Sequence, residues 1–360
     1  MANNKVIITT DSGRQVEAQA PVIVSASRST DIPAFYADWF FERLKRGYSV
    51  WTNPFNGKPS YVSFQDTRFI VFWSKNPRPL LRYIDYLEDK GIGFYIQYTL
   101  NDYVKEGLEK GVPGLEERLE TFRQLSSRLG RGRVIWRFDP LILTDKITID
   151  NLLKKIKYIG NQLKGYNDKL VFSFADIGSY RKVKSNLEKN GIDYREWDED
   201  SMDEFASRLS EMNKIEEWNY ELATCGEKID IEKYGISHNR CVDDDLMIRF
   251  QHGHDKKLMT FLGIEYRPVP MQIGEMFDFN DGGVSDNEGI EVNGMIYVKK
   301  KNNKDKGQRD FCGCIVSKDI GQYNTCPHQC EYCYANTSKE AGIRNWQSHK
   351  NNPTGERIIG

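Results

Sequence analysis

Between residues 22 and 225 the chain repeats one unit: a short β-branched or aromatic run, a polar tip, then an amphipathic stretch of helical period. The runs lie at 22–24, 48–51, 69–73, 94–98, 134–138, 170–174 and 222–224. They are almost continuously apolar and lack alternation, as parallel strands covered on both faces do. The helix candidates between them are 34–46, 79–90, 114–129, 149–163 and 201–214. Such alternation predicts βαβ units and a parallel sheet, hence an α/β fold. Seven runs suit a TIM-like βα barrel better than an open sheet, although periodicity alone admits a doubly wound one. The expected division is a barrel core over 1–250, an inserted irregular or β-hairpin segment over 251–303, and a cysteine-rich C-terminal region over 304–360.

Parallel strands end on one shared mouth, where barrel enzymes collect their functional groups. The residues at or just past the run ends include Ser25, Arg28, Asp31, Lys75, Thr99, Arg137, Asp139, Asp176 and Glu227. Loop starts and helix caps favour many of these types as well, and Asp31 or Thr30 before Pro33 reads as an N-cap. Arg28, Lys75 and Arg137 are harder to assign to capping, which does not call for cations there.

The formal net charge of −1 excludes a general nucleic-acid coat protein, which needs a strongly basic surface, though not a local basic groove. No apolar stretch of about 18 residues offers a membrane span. The first residues lack the charged, apolar and small-residue zones of a signal peptide, so a cytoplasmic location without membrane association is expected. In that compartment thiols stay reduced, and clustered cysteines read as metal ligands. There are seven, an odd number for a disulfide framework, and five of them fall between positions 312 and 333.

The segment Cys326-Pro327-His328-Gln329-Cys330-Glu331-Tyr332-Cys333 has C-x3-C-x2-C spacing. Three thiolates this close can hold three irons of a [4Fe–4S] cube and leave the fourth open. An open iron can take the amino and carboxylate groups of S-adenosylmethionine (SAM), whose reductive cleavage yields a 5′-deoxyadenosyl radical. Two alternatives remain: a zinc site completed by His328, which fits the usual paired-knuckle spacing poorly, or a closed cluster with a fourth ligand from upstream.

The string from Tyr323 to Ala335 resembles the cluster loop of radical SAM enzymes, most closely the spore photoproduct lyase-like group. That resemblance places the aromatic before the last cysteine, Tyr332, near the adenine. Residues 25–33, 73–77, 136–140, 225–227, 241–243 and 304–335 together resemble an uncharacterised bacterial family, domain of unknown function 1848. Radical SAM enzymes carry the three cysteines after their first strand, whereas here they follow all the strands. The resemblance therefore implies a permuted or partial barrel, or a C-terminal arm that folds back over the mouth. No Gly-Gly-Glu type SAM-contact motif is recognisable.

Cys225, Cys241, Cys312 and Cys314 remain, the complement for a second [4Fe–4S] cluster or one zinc, unless Cys225 and Cys241 are ordinary buried thiols. Arg28, Lys75 and Arg137 are candidates to clamp a carboxylate or an anionic substrate, Asp139 and Asp176 to contact ribose hydroxyls or tune a base, and Glu227 to contact the SAM ammonium. Together with Asp31 the cations and Asp139 form the candidate catalytic set; Ser25 and Thr99 join the candidate cofactor contacts. The leading expectation is a radical SAM enzyme served by an electron donor such as flavodoxin or ferredoxin. Its substrate would be a small molecule, a peptide or a nucleic-acid lesion. The competing classes are a metal-stapled nucleic-acid-binding protein that uses the lysine-rich stretch 298–306, and an electron carrier with closed clusters.

Overall fold

The computed structural model describes residues 4–269, 289–309 and 311–359. Its main sheet contains β1 (Ile23–Ala26), β2 (Phe69–Ser74), β3 (Gly93–Thr99), β4 (Val134–Leu141), β5 (Lys169–Phe174), β6 (Glu221–Thr224), β7 (Ile236–His238) and β8 (Lys318–Asp319). All pairings are parallel. The spatial order is β7-β6-β5-β4-β3-β2-β1-β8, so β1 to β7 follow one another in chain order and β8 returns to lie beside β1. Between the strands run α1 (Ile32–Phe35), α2 (Ala37–Arg46), α3 (Ile84–Asp89), α4 (Leu115–Leu129), α5 (Ile149–Leu163), α6 (Arg181–Lys189) and α7 (Glu199–Ile215). Among the described residues no ladder joins the edges β7 and β8. A backbone hydrogen bond, Ile315 N–H to Val242 O at 3.0 Å, links the segments beside them.

Successive strand residues point to opposite faces, and the two faces have separate cores. Ile70, Phe72, Ile96, Trp136, Phe138 and Phe172 pack against helix residues such as Phe40, Leu87, Phe122, Ile156 and Phe205. Phe69, Val71, Tyr95, Ile135, Val171 and Ala223 face the other way, onto Leu246, Met247 and Ile248 of α8 (Asp244–Phe250) and Leu258, Met259 and Leu262 of α9 (Lys256–Leu262). This double coverage is why the runs show no polar alternation. The helices are locally specified too: Thr148 and Asn151 form a capping box on α5, and Asp198 and Ser201 one on α7.

Six of the seven expected runs enter this sheet. The seventh does not: Tyr48–Thr52 pairs antiparallel with Pro59–Ser63, in a four-stranded sheet with Asn4–Thr9 and Gln15–Ala20. The chain reverses between them through a turn closed by Asn53 N–H to Lys58 O at 3.0 Å, so the run is half of a hairpin and not a crossover strand. Downstream, Ile264–Pro268, Ile290–Val292 and Met295–Lys299 build a small antiparallel sheet inside the segment 251–303. Residues 270–288 of that segment lie outside the described ones. No helix among the described residues is long and apolar enough to cross a membrane.

The α5 face is closely packed at Gly160, where an added Cβ would stand 2.5 Å from the Trp218 ring. That ring is fixed by its Nε1–H bond to Asn161 Oδ1 and by stacking on Tyr220. Alanine gains about 1 kcal/mol of helix propensity, but overpacking an immobile neighbour costs about 1–3 kcal/mol. Urea unfolding should therefore find Gly160→Ala less stable than the parent by about 1 kcal/mol; a stabilised variant would contradict this packing.

Candidate metal centre

Beyond β8 the chain crosses the C-terminal ends of the neighbouring strands. Asp319 Oδ2 accepts from Arg28 N–H at 2.9 Å, and Ile320 N–H donates to Ser25 O at 3.2 Å. Thr30 Oγ1 lies 2.7 Å from Thr325 Oγ1, and Tyr36 O–H donates to Thr325 O at 2.6 Å. The cysteine loop then settles on Asp31 and on the segment after β3. His328 Nε2 is 2.8 Å from Asp31 Oδ2 and its Nδ1 is 3.0 Å from Gly111 O, while Gly111 N–H donates to His328 O at 2.8 Å. A Cβ at Gly111 would be 2.7 Å from that carbonyl, so the two backbones meet only because the residue is glycine. Glu331 N–H donates to Leu108 O at 2.9 Å, and Asn336 Nδ2 to Cys326 O at 2.6 Å.

Cys330 is buried, while Cys326 and Cys333 are half-buried. Burial pushes the Cys326 and Cys330 thiols above their ordinary value; at Cys330 the Lys75 ammonium acts in the opposite direction and Glu109 with burial. A metal bound by these sulfurs would displace their protons. The fourth side of the loop is a buried polar knot. Lys75 Nζ lies 2.8 Å from both Glu109 Oε1 and Tyr332 O–H, and Asn101 Nδ2 donates to Tyr332 Oη at 3.1 Å. Tyr332 O–H also bonds Glu109, and fully buried Arg118 lies 4.0 Å from Glu109 Oε2.

The proposed mouth residues are thus distributed over two neighbourhoods. Asp31, Lys75 and Tyr332 hold the loop of Cys326, Cys330 and Cys333. Asp31 also caps α1 through Ala34 N–H at 3.1 Å, as its position before Pro33 foretold. Arg137 faces the other cysteines, with Nη1 3.2 Å from Gln97 Oε1 and 3.3 Å from Cys241 Sγ, and its Nε bonds Asp139 at 3.1 Å. Asp139 in turn accepts from Ser173 O–H. Glu227 accepts from Phe174 N–H at 3.0 Å; burial pushes its carboxyl up to about 7, with Asp139 and Asp176 adding to the shift. Ser25 Oγ lies 2.8 Å from Ser317 Oγ, Thr99 is half-buried at the end of β3, and exposed Asp176 caps a turn through Ser179 N–H at 3.2 Å. The arginine Arg28 stands over Trp73, 5.4 Å from its ring centre. Sequence reasoning did not single out Glu109, Asn101 or Arg118. Asn101 follows β3 by two residues and was within reach of the strand-end rule, but Glu109 and Arg118 carry no local signal.

The lysine-rich stretch is partly neutralised. Lys299 Nζ is 2.8 Å from Asp244 Oδ1 and also pairs with Asp245. With Lys300, Lys301, Lys304 and Arg240 it borders a cleft of about 530 Å³.

Glu109 is 2% exposed and would be penalised by burial alone, yet Lys75 and Arg118 hold its carboxyl down from 4.5 to about 2. Being depressed, this group stabilises the fold fully above its unfolded pKa, and that contribution drains away as the pH falls toward about 2. The shift corresponds to about 3 kcal/mol at neutral pH. Urea unfolding of Glu109→Gln should show a loss of that order at pH 7 and under half of it at pH 3. Equal losses at both pH values would contradict the assignment.

A family model described as a domain of unknown function, DUF1848, matches residues 23–335. No curated protein and no solved structure matches the chain. The matched span opens on the first strand of the parallel sheet and closes just past Cys333, taking in both cysteine groups and every strand that positions them. By the extent of that match, the chain belongs to the DUF1848 family.

Proposed function

We propose that this protein is a radical SAM-type enzyme in which Cys326, Cys330 and Cys333 hold an open [4Fe–4S] cluster. The observation that carries this reading is where the loop leaves the sheet: directly after β8, a parallel edge strand whose neighbour is β1. Counted as β8, β1, β2 and on to β7, the strands follow one another across the sheet, with the cysteine loop after the first. That order is what a radical SAM chain cut at a different point would give, and it supports a permuted, partial barrel over an unrelated arm.

The donor set fits an open cube better than the alternatives. The other cysteines engage one another, with Cys225 Sγ 3.3 Å from Cys241 Sγ and Cys314 Sγ accepting from Cys241 N–H, which supports three thiolates for the loop. Both ring nitrogens of His328 are engaged, by Asp31 and by Gly111 O, which leaves it unsuited to complete a zinc site. Among the described residues, the trio of ligand atoms gathered within 4.8 Å of one another is Asp243, Asp244 and Asp245; neither the three loop sulfurs nor any three of the other four cysteines form such a group. Zinc–sulfur bonds of ~2.3 Å would draw ligand sulfurs to about 3.8 Å apart, closer than a cube needs.

A cluster bound there would supply one electron to SAM and so generate the 5′-deoxyadenosyl radical. The chain's own part is positional. Asp31, through His328, and Lys75 with Glu109, through Tyr332, fix the loop against the strand ends. The hydroxyl of Tyr332 is fully engaged, so in this reading the residue holds the loop, and any contact with an adenine would come from its ring. Arg28, Asp139, Ser173 and Glu227 provide the polar wall against which a substrate would be oriented and water displaced. A one-electron donor of the flavodoxin or ferredoxin class is required.

Anaerobic reconstitution with iron and sulfide, followed by dithionite and SAM, tests the proposal. The parent protein should turn brown and form 5′-deoxyadenosine, and Cys330→Ala should lower that yield at least ~100-fold, since one missing ligand removes an anchored iron. A stably reconstituted parent that leaves SAM intact would overturn it.

A further inference from the structure

The four cysteines outside the loop come from both edges of the sheet. Cys225 directly follows β6, Cys241 lies just past β7, and Cys312 and Cys314 precede β8. Cys225 Sγ is 3.3 Å from Cys241 Sγ. Cys314 Sγ accepts from the backbone N–H groups of Cys241 and Val242 at 3.2 and 3.4 Å, and Cys312 precedes it by two residues. Cys241 and Cys314 are buried; Cys225 and Cys312 are half-buried.

Buried N–H donors and cations face these sulfurs. Arg137, 3% exposed, donates Nη1 to Cys241 Sγ at 3.3 Å, and Asn239 Nδ2 reaches the same sulfur at 3.4 Å. Arg28 is half-buried and within electrostatic reach of Cys314, Cys241 and Cys312, and its buried Nη2 has no hydrogen-bond partner in the protein. A neutral thiol is a weak acceptor that would not compensate buried guanidinium groups, whereas metal-bound thiolates characteristically accept backbone and side-chain N–H bonds. Four thiolates around a core of charge 2+ carry a net 2−, which Arg28 and Arg137 face, with Asp139 bound on the far side of Arg137.

We propose that Cys225, Cys241, Cys312 and Cys314 bind a second metal centre through four thiolates. It is a closed site, either a single zinc ion or a [4Fe–4S] cluster, and it bridges the two sheet edges that no strand ladder joins. It is independent of the open-cluster reading, because it shares no ligand with the loop of Cys326, Cys330 and Cys333.

The test separates the two centres. A Cys326→Ala, Cys330→Ala, Cys333→Ala variant, produced anaerobically and purified without chelator, should retain about one zinc, or about four irons with matching sulfide, per chain. Zinc identifies the single-ion form and iron with sulfide the cluster form. Adding Cys312→Ala and Cys314→Ala should lower that content at least ~10-fold. In case the triple variant fails to fold, the Cys312→Ala, Cys314→Ala protein is compared with the parent: it should lose one centre and keep the loop's metal. Equal metal content in those two proteins, or a metal-free parent carrying a Cys225–Cys241 disulfide, would overturn the proposal. A parent that holds the second centre but never cleaves SAM would refute only the radical SAM reading.

Discussion

The carboxylate of Asp31 joins pieces of chain that are remote in sequence. It accepts from Ala34 N–H at the start of α1, from Ser74 O–H and Lys75 N–H at the end of β2, and from His328 in the cysteine loop. Burial would favour the neutral acid, but His328 and these donors hold its pKa below the ordinary carboxylate value. The position of the three thiols depends on this group, since the loop has little regular structure of its own. What fixes it is a set of side chains displayed at one end of a rigid parallel sheet.

That display follows from topology. Parallel strands deliver all their C-terminal ends to one side, so β1 contributes the Arg28–Asp31 turn, β2 contributes Lys75 and the segment after β3 contributes Asn101 and Glu109. The last strand, two residues long, lies beside the first and delivers the cysteine loop to the same place. The other four cysteines lie on segments from both edges, where β7 and β8 are not paired. The sheet thus carries one thiol group over its strand ends near β1 and another at its open seam.

Much of the sheet could be read from the chain because strands covered on both faces leave unbroken apolar runs, as Phe69-Ile70-Val71-Phe72-Trp73 does. The short strands β7 and β8 were not legible, for their three and two residues are too few to carry a pattern. Residues 48–51 misled because a buried hairpin strand and a buried crossover strand have the same composition, and only the turn at 53–58 distinguishes them. At the candidate site, strand-end position pointed to Asp31, Lys75 and Arg137, which the structure sets against His328, Tyr332 and Cys241. Their partners were hidden: Glu109 and Arg118 acquire meaning only when tertiary contact buries them beside Lys75 and Tyr332. The structure also gives Asp31 and Lys75 a different emphasis, since both are occupied in holding the loop.

The central claim is that one iron corner at Cys326, Cys330 and Cys333 is left for a small-molecule ligand. Electron paramagnetic resonance of the reduced, reconstituted protein, recorded with and without SAM, tests this most directly. Coordination of SAM to the open iron should change the g-values of a reduced [4Fe–4S] signal, and Cys330→Ala should abolish that response. A strong reduced-cluster signal with the same line shape whether or not SAM is present would contradict the account.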